Sequence, residues 1–531
     1  MVNAQNITEK LLCKFDDIDD VDTYSLNFDN KTGSYIYVSY DSTKELKNSI
    51  RSNKGNSGDY DYINSYGAIF DAEGNYYIVV DIKVNDSTYR NTFIKNGKEL
   101  IDCDFLNSEL IEKNGIIYTY CTENNKSSIL KYDISAGSFS RGKAYDEIIP
   151  CLYDKIQMEG EPVGRLGFTR DDKIFYLAKL NSEAFIVIGE EEQTHYSDID
   201  SYTILIDKSD KFSFVAKDTG SFMYSTDGFV VQNDKRFKSF NSVFNLMFDK
   251  DYNVLYIASD EGEDVTPQRI MKGDKAISKT YSGGVYNLGI APSGKIYFIA
   301  TEKKKNSELY ESFVVLDGKE GKKYPSISNL QVLQGDEIVF TVQNNDDPPY
   351  VVFGDKVILG NKKQSFIYAD ILKNKSIAYI GVVYGESEIR VNDKYNLFID
   401  DEKFGPYDGM MVLNYESQNY LLSDEKGNYA YVIFKISKAY DYTYVLCTNN
   451  GKSKEFDNIS DVYLYKGKAL YTTSRMTDKI NYDYKYRLYY GDKPITPEYD
   501  AINDFKFDEK KGTGTFTISK NKGIYLVEVK L

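Results

Sequence analysis

The sequence has few of the residues on which catalytic sites are usually built. Its 531 residues include one histidine, His195, and no tryptophan. A Ser-His-Asp or Cys-His triad would have to use His195. His195 stands in a Glu/Gln-rich turn, however, and no Gly-x-Ser-x-Gly segment accompanies it. We therefore expect His195 to be a surface residue, and the sequence predicts no catalytic residue, no cofactor and no metal site.

Cysteine is also scarce. The five cysteines are irregularly spaced and form no Cys-x-x-Cys pair, so the usual signature of zinc and iron–sulfur sites is missing; they are Cys13, Cys103, Cys121, Cys151 and Cys447. The odd number leaves at least one thiol unpaired. A disulfide between Cys103 and Cys121 is an alternative that their spacing does not favour, and core thiols are the main prediction.

Basic stripes and long apolar runs are absent too. The formal net charge is -16, whereas a nucleic-acid surface needs an excess of Lys and Arg. The densest basic run, Lys303-Lys304-Lys305, is predicted to be a solvated hairpin turn. No stretch reaches the length of a transmembrane helix. The sequence thus predicts no nucleic-acid partner and no transmembrane segment.

The first residues favour export. Val2-Asn3-Ala4-Gln5 resembles the end of a secretory signal, in which a small or aliphatic residue, a spacer and Ala precede the cleavage point. The charged and apolar parts of such a signal are not present. We expect a periplasmic or extracellular location, and the alternative is a cytoplasmic protein whose start resembles a cleavage site by chance.

A tandem repeat is the strongest positive signal in the chain. Tyr and Phe supply 49 and 29 residues, and both types favour strands. An apolar or aromatic residue, a short turn and an alternating strand recur together. The leading residues Phe28 and Phe70 are 42 positions apart, as are Ile206 and Phe248, and Phe248 and Ile290.

Each unit ends with a second hairpin. Asn96-Gly97, Asp317-Gly318 and Asn450-Gly451 follow strands and favour the turn that needs positive φ at both central positions. Each unit ends with an aromatic residue followed by one or two turn-forming residues, as in Tyr324-Pro325, Tyr407-Asp408-Gly409, Phe456-Asp457 and Tyr499-Asp500. The pattern predicts four short antiparallel strands per unit, which is a propeller blade.

About twelve such units fit the chain. Their predicted starts lie near residues 25, 67, 109, 165, 203, 245, 287, 332, 371, 411, 462 and 505. The last unit lacks one strand, which we expect Ile7–Phe15 to supply, so that no sheet edge is left exposed there. We predict an all-β fold of two six-bladed propellers over 25–286 and 287–531, with 1–24 completing the last blade. One large ring is the alternative, and 151–164 is an alternative boundary.

The repeat resembles the WD40-like propeller family, in its TolB-like and prolyl-oligopeptidase-like forms. The resemblance is best over 288–328, where Ile290-Ala291-Pro292-Ser293-Gly294-Lys295 opens a strand and Asp317-Gly318-Lys319 ends the next hairpin. It implies a propeller fold and protein partners. It transfers no catalytic residue.

The carboxylates offer no clear site. Asp249-Lys250-Asp251-Tyr252-Asn253 begins like a calcium loop, but Val254 replaces the required glycine, so a hairpin turn is predicted. The other acidic clusters are predicted to be solvated loops; they are Asp16–Asp20, Asp198–Asp200, Asp260–Asp264 and Asp346–Asp347. Ser423–Gly427 is out of register with a sialidase Asp box.

Three functions stay open at this point. The first is a non-enzymatic, exported scaffold that binds a protein or peptide partner. The second is a carbohydrate-binding or glycoside-cleaving propeller, in which Tyr-rich loops such as Tyr60–Tyr62 and Tyr482–Tyr486 would stack on sugars. The third is a structural component of the cell envelope.

Overall fold

The computed structural model describes the whole chain except residues 1–6, 15–19, 30, 42–46, 64–66, 86–87, 151, 154–163, 223–226, 261–266, 334, 344–349, 355, 360–363, 375, 384–392, 401, 414–418, 438–440, 479–482 and 521–522. Several sequence predictions lie wholly or partly outside the described residues: the export signal at Val2–Gln5, most of the acidic clusters 16–20 and 260–264, Asp346-Asp347, Cys151 and Tyr482.

The described residues form twelve antiparallel sheets of four or five strands and one two-stranded ribbon. The first sheet contains β2 Asp20–Phe28, β3 Tyr35–Asp41, β4 Lys47–Ser52 and β5 Asp59–Tyr60; the second β6 Tyr62–Ile63, β7 Ile69–Phe70, β8 Tyr76–Asn85, β9 Thr88–Lys95 and β10 Lys98–Cys103; the third β11 Phe105–Leu106, β12 Ile111–Lys113, β13 Ile116–Glu123, β14 Lys126–Asp133 and β15 Ser138–Arg141; the fourth β16 Glu147–Ile149, β19 Gly167–Phe168, β20 Ile174–Leu180, β21 Glu183–Ile188 and β22 Glu191–Glu192. The ribbon is β17 Leu152–Tyr153 with β18 Gly164–Arg165.

The fifth sheet contains β23 Asp198–Ile199, β24 Leu205–Ile206, β25 Phe212–Lys217, β26 Gly228–Gln232 and β27 Lys235–Phe240; the sixth β28 Ser242–Phe248, β29 Val254–Ser259, β30 Gln268–Lys272 and β31 Lys275–Ala276; the seventh β32 Gly284–Ile290, β33 Ile296–Lys303, β34 Tyr310–Leu316 and β35 Lys319–Glu320; the eighth β36 Ile327–Val332, β37 Ile338–Val342, β38 Tyr350–Phe353 and β39 Lys356–Leu359. A 3-10 turn lies at Ser201–Thr203.

The ninth sheet contains β40 Gln364–Ile371, β41 Ile377–Val383, β42 Lys394–Ile399 and β43 Glu402–Tyr407; the tenth β44 Gly409–Met410, β45 Leu422–Ser423, β46 Tyr429–Ile436, β47 Tyr442–Thr448 and β48 Gly451–Lys452; the eleventh β49 Asn458–Tyr465, β50 Lys468–Asp478, β51 Asp483–Tyr490 and β52 Lys493–Pro494; the twelfth β53 Ile502–Asp508, β54 Thr513–Lys520, β55 Gly523–Lys530 and β1 Ile7–Lys14.

Strand order within the sheets confirms the predicted all-β, twelve-bladed propeller architecture. The strands of a sheet pair in chain order, and where there are five, two short segments share one partner, as β6 and β7 share β8. Among the described residues, no helix is long and apolar enough to cross a membrane.

One predicted start is wrong. The fourth unit was expected near residue 165, but its sheet begins at Glu147. Both β16 and β19 pair with β20, so the interrupting segment 151–164 falls inside the first strand of that sheet. The predicted start of the fourth unit was too late because an insertion separates the two halves of its first strand, and only the second half follows the repeat pattern.

The chain divides into two compact units. The first contains 1–195, 475–488 and 494–531, and the second contains 196–474 and 489–493. The division into rings at residue 286 stays a prediction.

The N-terminal strand completes the twelfth sheet, as predicted. Strand β1 pairs antiparallel with β55 in a register that joins Ile7 to Val529 and Lys14 to Gly523. Side chains reinforce the pairing, because the Tyr499 hydroxyl donates to Glu9 Oε1 at 3.0 Å and Lys520 pairs with the same carboxylate.

Aromatic residues pack the seams between consecutive sheets. The residue two or three positions before a new sheet is usually Tyr or Phe, and its ring meets a ring of that next sheet edge-on. The centroid distances are 5.2–6.2 Å in the pairs Tyr145–Phe185, Phe240–Tyr256, Tyr281–Phe298, Tyr324–Phe340, Phe456–Tyr471 and Tyr499–Phe516, each within one unit. We call these residues the closing aromatics. Edge-to-face geometry adds about 0.5–1.5 kcal/mol per pair to the free energy gained by burial.

A lysine two positions earlier covers many of these rings. The Nζ atom lies 5.0–5.6 Å from the centroid in Lys143–Tyr145, Lys238–Phe240, Lys279–Tyr281, Lys322–Tyr324 and Lys454–Phe456. Lys238 and Phe240 lie in β27, where alternation places residues i and i+2 on the same face. In each of these pairs Lys-x-aromatic brings a cation over a ring.

Buried aspartates organise the turn between the first two long strands of several sheets. Asp249 accepts hydrogen bonds from the backbone of Asp251 and Asn253 at 2.8 and 2.9 Å, and Lys272 pairs with it at 2.5 Å. Asp71 and Asp424 make the same backbone contacts. Burial opposes ionisation of Asp249, but these partners outweigh it and lower its pKa. The predicted hairpin turn at 249–253 is therefore confirmed.

The first prediction concerns strand β1. Deleting residues 1–14 should leave β55 with an unpaired edge, which favours edge-to-edge association. We expect a lower midpoint of thermal unfolding and concentration-dependent association, measured by calorimetry and size-exclusion chromatography. Deleting residues 1–5 is the control, because it keeps β1. Equal stability and a monomeric elution profile for both deletions would contradict the role given to β1.

The second prediction concerns pH. A lowered pKa in the folded state stabilises the protein above the unfolded pKa of about 3.9, and this stabilisation is lost as the pH falls through the folded pKa. Asp249→Asn should therefore cost about 1–2 kcal/mol at pH 7 and less near pH 3, where the unfolded chain already binds the proton. The measurement is urea unfolding at both pH values. The control is Asp251→Asn in the same turn, whose carboxylate is exposed. An Asp249→Asn effect that does not change with pH would refute the assignment.

Candidate functional site

The structure gives His195 no nucleophile. Its Nδ1 lies 2.9 Å from Glu183 and its Nε2 lies 3.6 Å from Glu192. The ring stacks on Phe185 with centroids 4.0 Å apart. A hydrolytic triad needs a hydroxyl or thiol beside the imidazole, and carboxylates occupy both ring nitrogens here. The arrangement is that of a packed surface residue.

The structure also shows no candidate metal site, because the described part of the chain contains no group of three or more His, Cys, Asp or Glu side chains placed to hold an ion. The Asp424 carboxylate in the segment that resembles an Asp box accepts from Lys426 and Asn428, so it serves the turn as Asp249 does. Much of the acidic composition thus stabilises turns.

The cysteines with described side chains are buried thiols. Cys103, Cys121 and Cys447 are free and buried, which confirms the prediction of core thiols for these three. Burial raises the pKa of Cys447 to about 11. Cys103 and Cys121 lie in one apolar cluster. Sequence spacing did not place them together, because the two residues belong to different sheets.

Two clefts in unit 2 are lined largely by hairpin turns. One, of about 580 Å³, lies beside Tyr252 and the Asp249 turn, and its lysines already have partners, as in Lys235–Asp274 at 2.9 Å and Lys208 over Tyr252 at 4.8 Å. Another, of about 440 Å³, is lined by the turn residues around Gly451, Gly467 and Gly491. The polar side chains of these two clefts thus largely contact other groups of the protein.

The third cleft differs in composition. It has a volume of about 560 Å³ and lies between the seventh and eighth sheets; its lining residues are Tyr286, Asn287, Ile299, Thr301, Tyr310, Ser312, Pro325, Ser326, Ile327, Ser328 and Asn329. We call it the tyrosine cleft. None of these described residues carries a carboxylate, amine, guanidinium, imidazole or thiol, so the ionisable side chains of the lining are the phenols of Tyr286 and Tyr310.

Tyrosine rings are presented at the mouth of this cleft. Tyr286 is 51% exposed, Tyr310 is 43% exposed, and the neighbouring Leu309 is 68% exposed. Both side chains contact Gly283: the Tyr286 hydroxyl donates to its carbonyl at 3.0 Å, and a Cβ there would lie 2.6 Å from Tyr310 Cδ1. Glycine at position 283 thus leaves room for the Tyr310 ring.

Amides and hydroxyls form the rest of the wall. Asn287 and Asn329 adopt left-handed φ angles of 51° and 52° at bulges in β32 and β36. Such bulges redirect a side chain out of the regular pleat. Thr301 and Ser312 share a hydrogen bond of 3.0 Å, and Ser328 Oγ is buried without a hydrogen-bond partner among the described residues.

Sequence reasoning did not select these residues. Of the Tyr-rich loops it favoured, Tyr60 is buried and donates to Glu99 at 3.3 Å, whereas Tyr62 is exposed. The sequence does contain a pattern that indicates these bulges. Asn245, Asn287 and Asn329 follow one another at 42-residue spacing, and all three have positive φ in the structure. The basic run beside the cleft is a hairpin, as predicted, with Lys303 paired to Glu308 at 2.7 Å.

Comparison with known proteins gives distant structural likenesses. No family model and no curated protein sequence matches the chain. A crystal structure of the eukaryotic initiation factor is 10% identical with a TM-score of 0.34, covering 70% of this chain and 94% of that one. The β-propeller domain of the Trilobed protease from Pyrococcus furiosus is 12% identical with a TM-score of 0.23, covering 56% and 94%. The Dos1 propeller is 7% identical with a TM-score of 0.25, covering 78% and 88%. The fold assignment therefore rests on the sheet order and strand register given above.

Proposed function

We propose that this protein is a non-catalytic β-propeller that binds a segment of a partner protein in the tyrosine cleft. The carrying observation is the composition of that cleft, in which exposed tyrosine rings adjoin hydroxyls and amides without any acid or base. Tyrosine supplies rigid contact area and a polar tip, and it is enriched at protein interfaces. Ser and Asn side chains supply adaptable hydrogen bonds.

The polar groups of the cleft suit a peptide backbone. A carboxamide such as that of Asn287 or Asn329 can donate and accept at once, which matches a backbone N–H and C=O. Because the lining carries no formal charge, the favoured segment is itself uncharged where it enters.

Glycoside cleavage at this cleft is disfavoured on chemical grounds. Hydrolysis of a glycosidic bond uses a pair of carboxyl groups on either side of the bond, and the lining residues include none. Tyrosine also stacks on sugars, so glycan binding without cleavage is the outcome that the experiment must separate from peptide binding.

We also propose a relation to TolB-like and prolyl-oligopeptidase-like propellers, and a location in the periplasm or outside the cell. Support for the relation comes from Ser293-Gly294-Lys295 and Asp317-Gly318, where Gly294, Asp317 and Gly318 hold φ angles of 85°, 51° and 74°. Those are the turns on which the sequence resemblance depends. Support for the location comes from Val2–Gln5.

The third prediction tests the tyrosine cleft. Phage-displayed dodecapeptides would be selected on the immobilised protein, and the best peptides titrated by calorimetry against Tyr286→Ala and Tyr310→Ala. We expect each change to weaken binding about tenfold or more, which corresponds to about 1.4 kcal/mol or more. The midpoint of thermal unfolding should hardly change, because both rings are exposed.

The matched control is Tyr202→Ala. Tyr202 is 71% exposed, belongs to the same unit, and does not line the cleft. Its removal should leave peptide affinity unchanged. Peptides that bind both cleft variants as tightly as the native chain would overturn the proposed site. A glycan array that yields ligands sensitive to Tyr286→Ala and Tyr310→Ala, while no peptide is selected, would replace the peptide by a carbohydrate.

A further inference from the structure

Four polar side chains of the tyrosine cleft are available to a ligand. All four are exposed and make no hydrogen bond to another residue of the part of the chain that the structure describes; they belong to Asn287, Tyr310, Ser326 and Asn329. Other hydroxyls of the wall are occupied, as that of Tyr286 is by the carbonyl of Gly283. An amide, a hydroxyl or a phenol can donate a hydrogen bond, so the cleft offers several donors to whatever enters it.

These donors suit an extended segment of a partner. In a helix the carbonyl groups are bonded within the segment itself, whereas an extended backbone leaves its carbonyls available. The lining carries no formal charge, and so the ligand need not supply one. The groups that match the cleft are therefore the backbone carbonyls of an extended, uncharged chain.

The strands beside the cleft do not favour the addition of a ligand as a further β-strand. Strands β32 and β36 each lie at the end of their sheet, with one strand neighbour among the described strands, and strand addition would pair a ligand along such an edge. The ladder of β32 shifts register between Tyr286 and Gly289, and that of β36 between Ser328 and Gln331. Because a bulge interrupts regular pairing, an extended ligand here depends on contacts with side chains.

The two exposed rings supply apolar contact area that the fold does not use. Neither Tyr286 nor Tyr310 has an aromatic or cationic neighbour over its ring among the described residues, in contrast to the closing aromatics. Leu309 is 68% exposed beside Tyr310, and Pro325 is exposed as well. Proline-rich segments dock in grooves lined by aromatic side chains, and they are extended before they bind, so that little conformational entropy is lost.

We propose that the tyrosine cleft binds an uncharged, proline-rich segment in the polyproline II conformation. This inference rests on the proposed function and names the class of segment that the same cleft accepts. Polyproline II has three residues per turn and no internal hydrogen bonds, so its carbonyls can accept from Asn287 and Asn329. Proline has no N–H, and the segment thus presents acceptors where the cleft presents donors. The rings of Tyr286 and Tyr310 contact the pyrrolidine rings.

The fourth prediction compares two dodecapeptides, one of Pro-Pro-Gln triplets and one of Ala-Ala-Gln triplets. Both are capped at their ends and carry no charge, and each is titrated into the full-length protein by calorimetry. We expect the proline peptide to bind about tenfold more tightly or better, because its backbone is extended before it binds. Tyr286→Ala and Tyr310→Ala should each weaken its binding about tenfold or more. Peptides selected from the phage library should also be enriched in proline.

The amides can be tested without disturbing the backbone. Asn287 and Asn329 have left-handed φ angles, which glycine adopts at no steric cost. Asn287→Gly and Asn329→Gly should each weaken binding of the proline peptide by about three- to tenfold, through the loss of one hydrogen bond. The matched control is Asn245→Gly, since Asn245 has a φ of 52° at the corresponding bulge of β28 and does not line the cleft. Its affinity for the peptide should equal that of the native chain.

The outcomes separate this inference from the proposed function. Phage-selected peptides that require Tyr286 and Tyr310 but contain no more proline than the library, with equal affinities for the two triplet peptides, would overturn the polyproline assignment and keep the peptide site. Binding of the proline peptide that both tyrosine variants and both asparagine variants leave unchanged would overturn the cleft as its site. Absence of any peptide ligand sensitive to the tyrosine changes would overturn both proposals.

Discussion

Ring packing at the seams is the constraint on which the rest of this fold depends. A four-stranded sheet has two faces to bury, and consecutive sheets within each unit bury them against each other. The closing aromatic of one sheet meets an aromatic residue of the next in a T-shaped contact, as Tyr281 meets Phe298 and Tyr324 meets Phe340. The six seams with this contact are alike, so the chain repeats one solution there, in the manner of other repeat proteins.

This use of aromatic residues decides how the tyrosines are to be interpreted. Tyr145 and Tyr281 are buried, and lysine stems and ammonium groups cover their rings. Such residues serve packing. Tyr286 and Tyr310 are not closing aromatics: both lie beside Gly283, and their side chains are 51% and 43% exposed. A Tyr-rich composition therefore says little about ligands until the packed rings are separated from the presented ones.

The charged residues divide in a similar way. Asp71, Asp249 and Asp424 are satisfied within their own turns, and many surface lysines pair with carboxylates across neighbouring strands, as Lys279 does with Glu302 at 2.7 Å. The acidic character of the chain is thus spread over structural roles. The tyrosine cleft is distinguished by having none of these charges in its wall.

The sequence by itself determined the unit of the fold. The 42-residue spacing, the Asn96-Gly97 and Asp317-Gly318 turns and the missing last strand are local patterns, and the structure follows them down to the pairing of β1 with β55. The insertion at 151–164 misled the count only where it split a strand. Tertiary structure decided everything that depends on neighbouring sheets: Tyr286 and Asn329 line one cleft, and Cys103 and Cys121 lie in one apolar cluster. No spacing rule predicts such contacts, because the packing of one sheet on the next sets which residues meet.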